Sequence, residues 1–484
     1  MNIRHTNISA AMLFRVPPGV LTGLLLMISL SGCQPQIPPV RKEAPLAYSD
    51  AWAAGGEPLP VQPWLEDFDD ANLEGMVEEA VGYNFSLRAA QARVDQAQAR
   101  ARIVGADRYP SVDLTATGAR GKISPGSNQG FGGITTDSFR LQGELSWEAD
   151  LWGRIADRTR AAKADAEASE WQYDAARLSL GANVTRAWLD CIEATQQLRL
   201  AEQTVDSFQR SLLVVEEQFR RGIGAALDVR LARNNFAAAQ SNLQVRTREL
   251  RALLRALEVL LGRYPDGSVI VPEDFPVLTT LVPVGLPSEL LTRRPDLIAA
   301  ERRLLAAEFR SADTERNRFP SIVLTTSGGT ASDELRDLVD LDFSLWSLAA
   351  NLSQPLFQAG RLEAERDQAA AQVVEAYNDY AQTLVTAFNE VETALDATVY
   401  LEEQQKALEV AAREAYAAET IALEQYQRGL TGIITLLESQ RRAFTAKSAL
   451  LTSSNQRLKN RVNLHLALGG DFDSASQQSS EAAP

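Results

Sequence analysis

Apolar side chains recur at intervals of three and four residues along two stretches of this chain. Val205, Phe208, Leu212, Val215 and Phe219 form one series; Val229, Ala232, Phe236, Ala239 and Leu243 form the next. This is coiled-coil spacing, and it predicts two antiparallel helices, 153–221 and 228–261. Between Arg154 and Arg221 there is no proline and a single glycine, Gly181. At 1.5 Å per residue such a helix is about 100 Å long. Gly222 then supplies the backbone freedom that ends it. Upstream the period changes to two. Val112, Leu114 and Ala116 alternate with Asp113, Thr115 and Thr117, and Leu141, Gly143, Leu145 and Trp147 alternate with Gln142, Glu144 and Ser146. The alternation predicts strands 111–118 and 139–147, each with one apolar and one polar face. Gly121 to Asp137 between them is rich in Gly and Ser and reads as a surface loop.

The whole pattern occurs twice. Tyr109-Pro110-Ser111-Val112 returns as Phe319-Pro320-Ser321-Ile322, 210 residues on, and the helical pattern Leu87–Arg100 returns as Leu297–Arg310. Phe219-Arg220-Arg221-Gly222-Ile223 returns as Tyr426-Gln427-Arg428-Gly429-Leu430, 207 residues on. A period this long is a duplicated half rather than a solenoid repeat. The first repeat spans 64–263 and the second 296–470, with strands 321–328 and 343–352 and long helices 360–428 and 435–468. Residues 264–295, punctuated by Pro and Gly, form a connector between the halves. The tail 471–484 is polar and reads as disordered.

The N-terminus adds a compartment. Arg4 and Arg15 precede an uncharged apolar run, Gly19 to Leu30, too short to span a bilayer, which ends in Leu30-Ser31-Gly32-Cys33. Residues 1–32 read as a lipoprotein signal peptide. Cys33 is the lipid attachment site of a bacterial lipobox, its several acyl chains making a firm anchor. Gln34 is not the Asp that would oppose outer-membrane sorting. Residues 33–63, with Pro35, Pro38, Pro39 and Pro45, read as an extended lipid-anchored linker.

Removing 1–32 leaves 452 residues with 46 basic against 63 acidic side chains, which argues against nucleic acid as a partner. One cysteine other than Cys33 remains, Cys191, and one histidine, His465, so an internal disulfide and a His/Cys metal cluster are excluded on count. Cys191, among Leu189, Ile192 and Ala194, reads as an inert core thiol. No nucleophile elbow, phosphate loop or zinc motif appears, so the chain does not read as an enzyme and no cofactor is expected beyond the covalent lipid. No run of 18 apolar residues follows the signal. The chain therefore either stays out of the bilayer apart from its lipid, or crosses it as β-strands. Tyr109, Trp147, Trp152, Phe319, Trp346 and Phe357 lie at or near strand ends, where interfacial aromatic belts sit. A soluble hairpin with packed aromatics fits the strands taken singly, and a lipid-anchored periplasmic coiled-coil scaffold or adaptor fits the helices. Four strands do not close a membrane barrel alone, so membranous strands require several chains to share one.

In order along the chain, the lipobox with Cys33, Arg294-Pro295-Asp296-Leu297, Phe319-Pro320, Gln354-Pro355-Leu356-Phe357 with Gly360, and the paired Arg-Gly turns form a connected set. With it, nearly the whole mature chain resembles the TolC-like outer-membrane efflux protein family, in its lipidated OprM/NodT-type branch. The resemblance implies a mainly α fold with a transmembrane β part. Long coiled-coil helices would form a periplasmic barrel, and four strands per chain would enter a shared 12-stranded barrel in a homotrimer. It implies a passive, gated exit duct in the cell outer membrane, with outer-membrane lipid around it. A periplasmic adaptor (membrane fusion protein) and an inner-membrane pump would be its partners. The lipidated branch most often serves resistance-nodulation-division pumps, with drugs or other small molecules as cargo; a type I secretion duct is the alternative.

The resemblance also assigns residues. The turns at Gly222-Ile223 and Gly429-Leu430 correspond to the tips that touch the adaptor. Asp228 corresponds to an aspartate that holds the closed state. Its arginine partner in TolC corresponds to Thr431 here, leaving Arg230 and Arg441 as candidate replacements. Ile434 and Glu438 correspond to the constriction, with Glu438 in place of the aspartate of an acidic ring. Carboxylates converging on an axis favour cations.

Overall fold

The computed structural model of the chain describes residues 51–53, 64–123, 134–278 and 287–470. The signal peptide, Cys33, most of the linker and the tail lie outside the described residues. A 3-10 turn, Trp64–Phe68, leads into α1 (Ala71–Tyr83) and α2 (Phe85–Ala106). Asp70 caps α1, its Oδ1 accepting from Asn72 N and Leu73 N. Asn84 closes α1 and opens α2: its Oδ1 accepts from Ser86 N and Leu87 N, and its Nδ2 donates to the Leu260 carbonyl. One buried side chain thereby turns the chain and ties it to the far end of the first repeat.

Strands β1 (Ser111–Ile123) and β2 (Ile134–Glu148) follow, then the long helices α3 (Arg154–Arg220) and α4 (Ala226–Leu261). The second half gives α5 (Pro295–Arg316), β3 (Ser321–Ser332), β4 (Ser344–Ser353), α6 (Arg361–Gln427) and α7 (Ile433–Ala467). Both α3 and α6 have 67 residues. Each is launched by a left-handed glycine, Gly153 at φ 79° and Gly360 at φ 83°, a conformation that costs other residues about 1–2 kcal/mol.

The strands run longer than the alternation predicted: 111–123 and 134–148 instead of 111–118 and 139–147, and 321–332 instead of 321–328. β4 covers 344–353 rather than 343–352. Residues 121–123 and 134–137, expected in a loop, are paired in the sheet, Arg120 facing Asp137 and Lys122 facing Thr135. The outward series passes from Val112, Leu114 and Ala116 to Arg120 and Lys122. The apolar signal stops where the strand does not, because the backbone ladder needs no apolar side chain to continue.

The four strands form one antiparallel sheet in the order β1-β2-β3-β4. Even-numbered residues of β1, β3 and β4 and odd-numbered residues of β2 share one face. That face carries Val112, Leu114, Leu145, Trp346, Leu348 and Leu352, an apolar band. The opposite face carries Asp113, Thr115, Gln142, Glu144 and Asn351. Among the described residues β1 and β4 each pair on one side only, which leaves the sheet two open edges. Its internal register repeats the duplication: Ser111 opposite Ser146 becomes Ser321 opposite Ser353. The offsets, 210 for the first strand of a pair and 207 for the second, are those read from the sequence.

Among the described residues the helices bury three apolar cores along the bundle. One, around Trp188, Leu189, Ile192, Leu257 and Leu261, receives Phe68 and Leu73 from the N-terminal segment. A second, around Leu384, Val391 and Leu464, receives Trp52. The third joins the two hairpin ends. Trp52 corrects the linker reading. It is buried, sits edge-on to Phe388 at 6.2 Å, and is followed by Ala53 N donating to Glu392 Oε1 at 2.8 Å. The segment around Trp52 is thus fastened to the second repeat before the first repeat begins. Asp67 does the same from the 3-10 turn, accepting from the Arg461 guanidinium and the His465 imidazole. Burial outweighs that carboxylate and holds the His465 pKa below its ordinary value.

Candidate docking tips and channel entrance

The free ends of both helical hairpins are built alike. α3 ends with Gly222 at φ 76°, Gly222 N donating to the Phe219 carbonyl and Ile223 N to the Gln218 carbonyl. α6 ends with Gly429 at φ 74°, Gly429 N donating to Tyr426 and Leu430 N to Gln425. This is the Schellman closure, which satisfies the last helical carbonyls and demands a left-handed residue at the glycine. A side chain added at Gly222 or Gly429 would meet nothing within 4 Å. The glycines are therefore needed for conformation and not for space. Each turn exposes an apolar residue, Ile223 at 76% and Leu430 at 71%, with Leu227 and Ile434 also exposed beside them.

Just behind the turns the two hairpins interlock. Phe208, Val215, Val229 and Ala232 pack with Tyr426, Ile433, Leu436 and Leu437. The four predicted turn residues and the predicted entrance residues are thus brought to one end of the molecule. Ile434 and Arg230 are exposed, and Asp228 is half-buried in the first turn of α4. Asp228 stands by Tyr426. Burial first, and then the Asp228 charge, push the Tyr426 hydroxyl above its ordinary pKa.

Within one chain the two candidate replacements for the missing arginine are placed as follows. Arg441 does not reach Asp228; it is committed to Glu438 within its own helix, one turn away. Arg230 has no ion pair among the described residues. Glu438 also accepts from Arg442 Nε at 2.9 Å. The Arg442 hydrogen bond, ahead of the two arginine charges, holds the Glu438 carboxyl below its ordinary pKa. One carboxylate is flanked by two guanidinium groups, so this patch of each chain is net positive rather than an acidic element. The pairing was legible at spacings of three and four on a helix.

Sequence reading missed a second feature. Between their apolar contacts, α3 and α7 are also joined by hydrogen bonds. Gln440 Nε2 donates to Ser207 Oγ and Ser211 Oγ, both at 2.8 Å. Thr452 Oγ1 donates to Glu193 Oε1 at 2.7 Å, and Asn455 Nδ2 donates to Asp190 and Glu193. The signal was a polar stripe at helical spacing, Ser448, Thr452 and Asn455. Cys191 lies nearby, buried, its thiol pushed up to about 12 by burial and then by Asp190 and Glu258. It is an inert core thiol.

An edge-open sheet with an apolar outer face, continuous with helices about 100 Å long, defines an outer-membrane duct protein. The sequence model described as "Outer membrane efflux protein" matches residues 76–263 and 286–470, one match on each half. The chain belongs to the outer membrane efflux protein family. It is 34% identical over 468 residues to the outer membrane protein OprJ of Pseudomonas aeruginosa, covering 95% of this chain and 97% of that one. It is 30% identical to the cation efflux system protein CusC of Escherichia coli K12, covering 84% and 88%. The crystal structure of the Campylobacter jejuni CmeC outer membrane channel aligns with a TM-score of 0.85 at 25% identity, covering 93% of this chain and 98% of that one. The protein is an outer-membrane channel of a tripartite efflux pump, a transport duct and not an enzyme.

Proposed function

We propose that three copies of this chain form the duct. Its helical tips meet a periplasmic adaptor, and an inner-membrane pump of the resistance-nodulation-division type delivers drugs or other small molecules to it. The observation that carries this reading is the sheet. Four strands with an apolar outer face and two open edges are too few to close, and each open edge is a ready template for pairing with another chain. Three chains give twelve strands. The apolar turns at Ile223 and Leu430 support a helical docking partner at the tips.

Asp228 beside Tyr426, with Ile434, forms the entrance, and Glu438 sets its charge through Arg441 and Arg442. Removing the Glu438 carboxylate leaves two unopposed arginines in each chain. In planar bilayers, Glu438→Ala channels are expected to show a cation-over-anion permeability ratio lower by roughly twofold than wild type, the scale of screened charges across a water-filled pore. An unchanged ratio would remove Glu438 from the entrance. Absence of any conductance from a protein that runs as a monomer would sink the duct itself.

The Leu30-Ser31-Gly32-Cys33 box supports a thioether-linked lipid on Cys33, which anchors the chain to the outer membrane from its periplasmic side. Cells fed radiolabelled palmitate should label the wild-type protein and leave Cys33→Ser unlabelled. Equal labelling of both would refute the assignment.

A further inference from the structure

We infer that a recess between α6 and α7 is a binding site in the duct wall for a small uncharged molecule with an apolar body and one polar group. The inference rests on the duct reading above and adds a site to it. Gln404 and Leu408 of α6 and Phe444, Ala449, Ser453 and Gln456 of α7 enclose a recess of about 430 Å³. Cavities that hold small organic ligands span about 300–1,000 Å³. Along α7, Glu438, Arg442, Thr445, Ala449, Ser453 and Gln456 follow one another at steps of three or four residues. They therefore share one face of the helix. The recess lies on the face that carries Glu438, and Ala449 stands about 16 Å further from the tip at 1.5 Å per residue.

Three of the hydroxyls lining the recess are committed. Thr445 Oγ1 donates to the Arg441 carbonyl and Ser448 Oγ to Gln197 Oε1, both at 2.9 Å, and Thr452 Oγ1 donates to Glu193 Oε1 at 2.7 Å. Ser453 is different. It is only 2% exposed, and its Oγ has no hydrogen-bond partner among the described residues. A buried hydroxyl left unpaired is unfavourable, and the polar group of a ligand would satisfy it. Among the described residues no side chain lining the recess carries a charge. A charged ligand would be desolvated there without a counter-ion, so the site selects an uncharged one. Leu408 and Phe444 supply the apolar surface for its body.

The duplication supplies an independent comparison. At the offset of 207 residues, Ser453 corresponds to Arg246 and Gln456 to Glu249. Arg246 Nη1 donates to Glu249 Oε2 at 2.9 Å, so in the first half a long side chain held by its own carboxylate stands where the second half has the Ser453 hydroxyl. The second half has exchanged a self-satisfied ion pair for a short hydroxyl and an amide. That exchange removes both the bulk and the charge, and leaves a polar group for a ligand to meet.

The test is thiol labelling of Ser453→Cys in detergent-extracted protein, with unheated gels reporting the trimer. Cys191 is buried with its thiol pushed up to about 12, so its background is slow. N-ethylmaleimide, small and neutral, should label Ser453→Cys roughly tenfold faster than Cys191. The probe 2-naphthol, an uncharged aromatic with one hydroxyl, should slow that labelling about twofold or more at about 1 mM, as a ligand of millimolar affinity must. Relative to their rates with free cysteine, sulfonate and trimethylammonium methanethiosulfonates should react roughly tenfold more slowly than the neutral methyl reagent. Ala449→Cys is a second reporter, and its protection by 2-naphthol should vanish when Ser453→Arg and Gln456→Glu are added. Equal relative rates for charged and neutral reagents would mean an open solvated groove and overturn the site. A thiol inert in assembled trimers, or labelled without protection, would overturn it too and leave the duct standing. Absence of any trimer overturns the duct reading and the site with it.

Discussion

Gly429→Asp should abolish export while leaving the assembled channel intact. Gly429 sits at φ 74°, with open space where a side chain would go. Aspartate accepts the left-handed conformation at a cost of about 1–2 kcal/mol, and the Leu430 N to Gln425 carbonyl bond that closes α6 can persist. The change therefore falls on what the turn meets. It sets a carboxylate beside the exposed Leu430 and Ile434, and burying an unpaired charge against a docking partner is unfavourable. A loss of about 3 kcal/mol lowers affinity roughly a hundredfold. Drug susceptibility of cells carrying the variant should match that of cells lacking the channel, while unheated gels still show trimer. Gly429→Asn, neutral and tolerant of positive φ, should keep most activity. Normal export by the aspartate variant would take the tip out of the docking surface.

Arg316→Ala should cost the most stability of any single change at the junction between sheet and helices. The Asp157 carboxylate is fully buried in the first turn of α3 and pairs with Arg316, whose Nη1 also donates to the Gly153 carbonyl at 3.0 Å. Gly153 leaves room for that guanidinium; a Cβ there would stand 3.0 Å from it. Above the pair, Trp152 stacks on Phe319 at 5.2 Å and donates to the Pro320 carbonyl. Removing one member of a buried pair strands the other and costs about 3–5 kcal/mol. A lowered urea midpoint of the detergent-solubilised protein measures this. The double change Asp157→Asn with Arg316→Met should recover much of the loss, since no charge is then left buried. A cost below about 1 kcal/mol would mean that Arg160, 2.9 Å from Asp157, suffices alone.

These two sites differ in how far the chain announced them. Gly429 was legible because a Schellman turn makes a local demand: the helix pattern stops, and a glycine stands there twice, 207 residues apart. The Asp157–Arg316 pair was not legible, because its members lie 159 residues apart and each alone is an ordinary helix charge. Glu438 lies between. Its arginines at the third and fourth following positions stand at helical pairing distance, whereas likeness to an acidic ring predicts a carboxylate without such partners. Trp52 shows the reverse. Its prolines made the leading segment look like free linker, and only the pocket formed by Leu290, Leu384 and Phe388 reveals that it is held.

The sequence alone determined the duplicated plan, the long helices and their glycine ends, the alternating strands, and the lipobox expectation. Each follows from local rules: side-chain period, backbone freedom at glycine, and short motifs. The tertiary structure decided where the strands end, which edges stay open, and which charges pair across helices. It also decided that Arg441 pairs with Glu438 within its own helix. The first three are relations between residues far apart in the chain, set by packing and by the desolvation of buried charge, which no local pattern encodes.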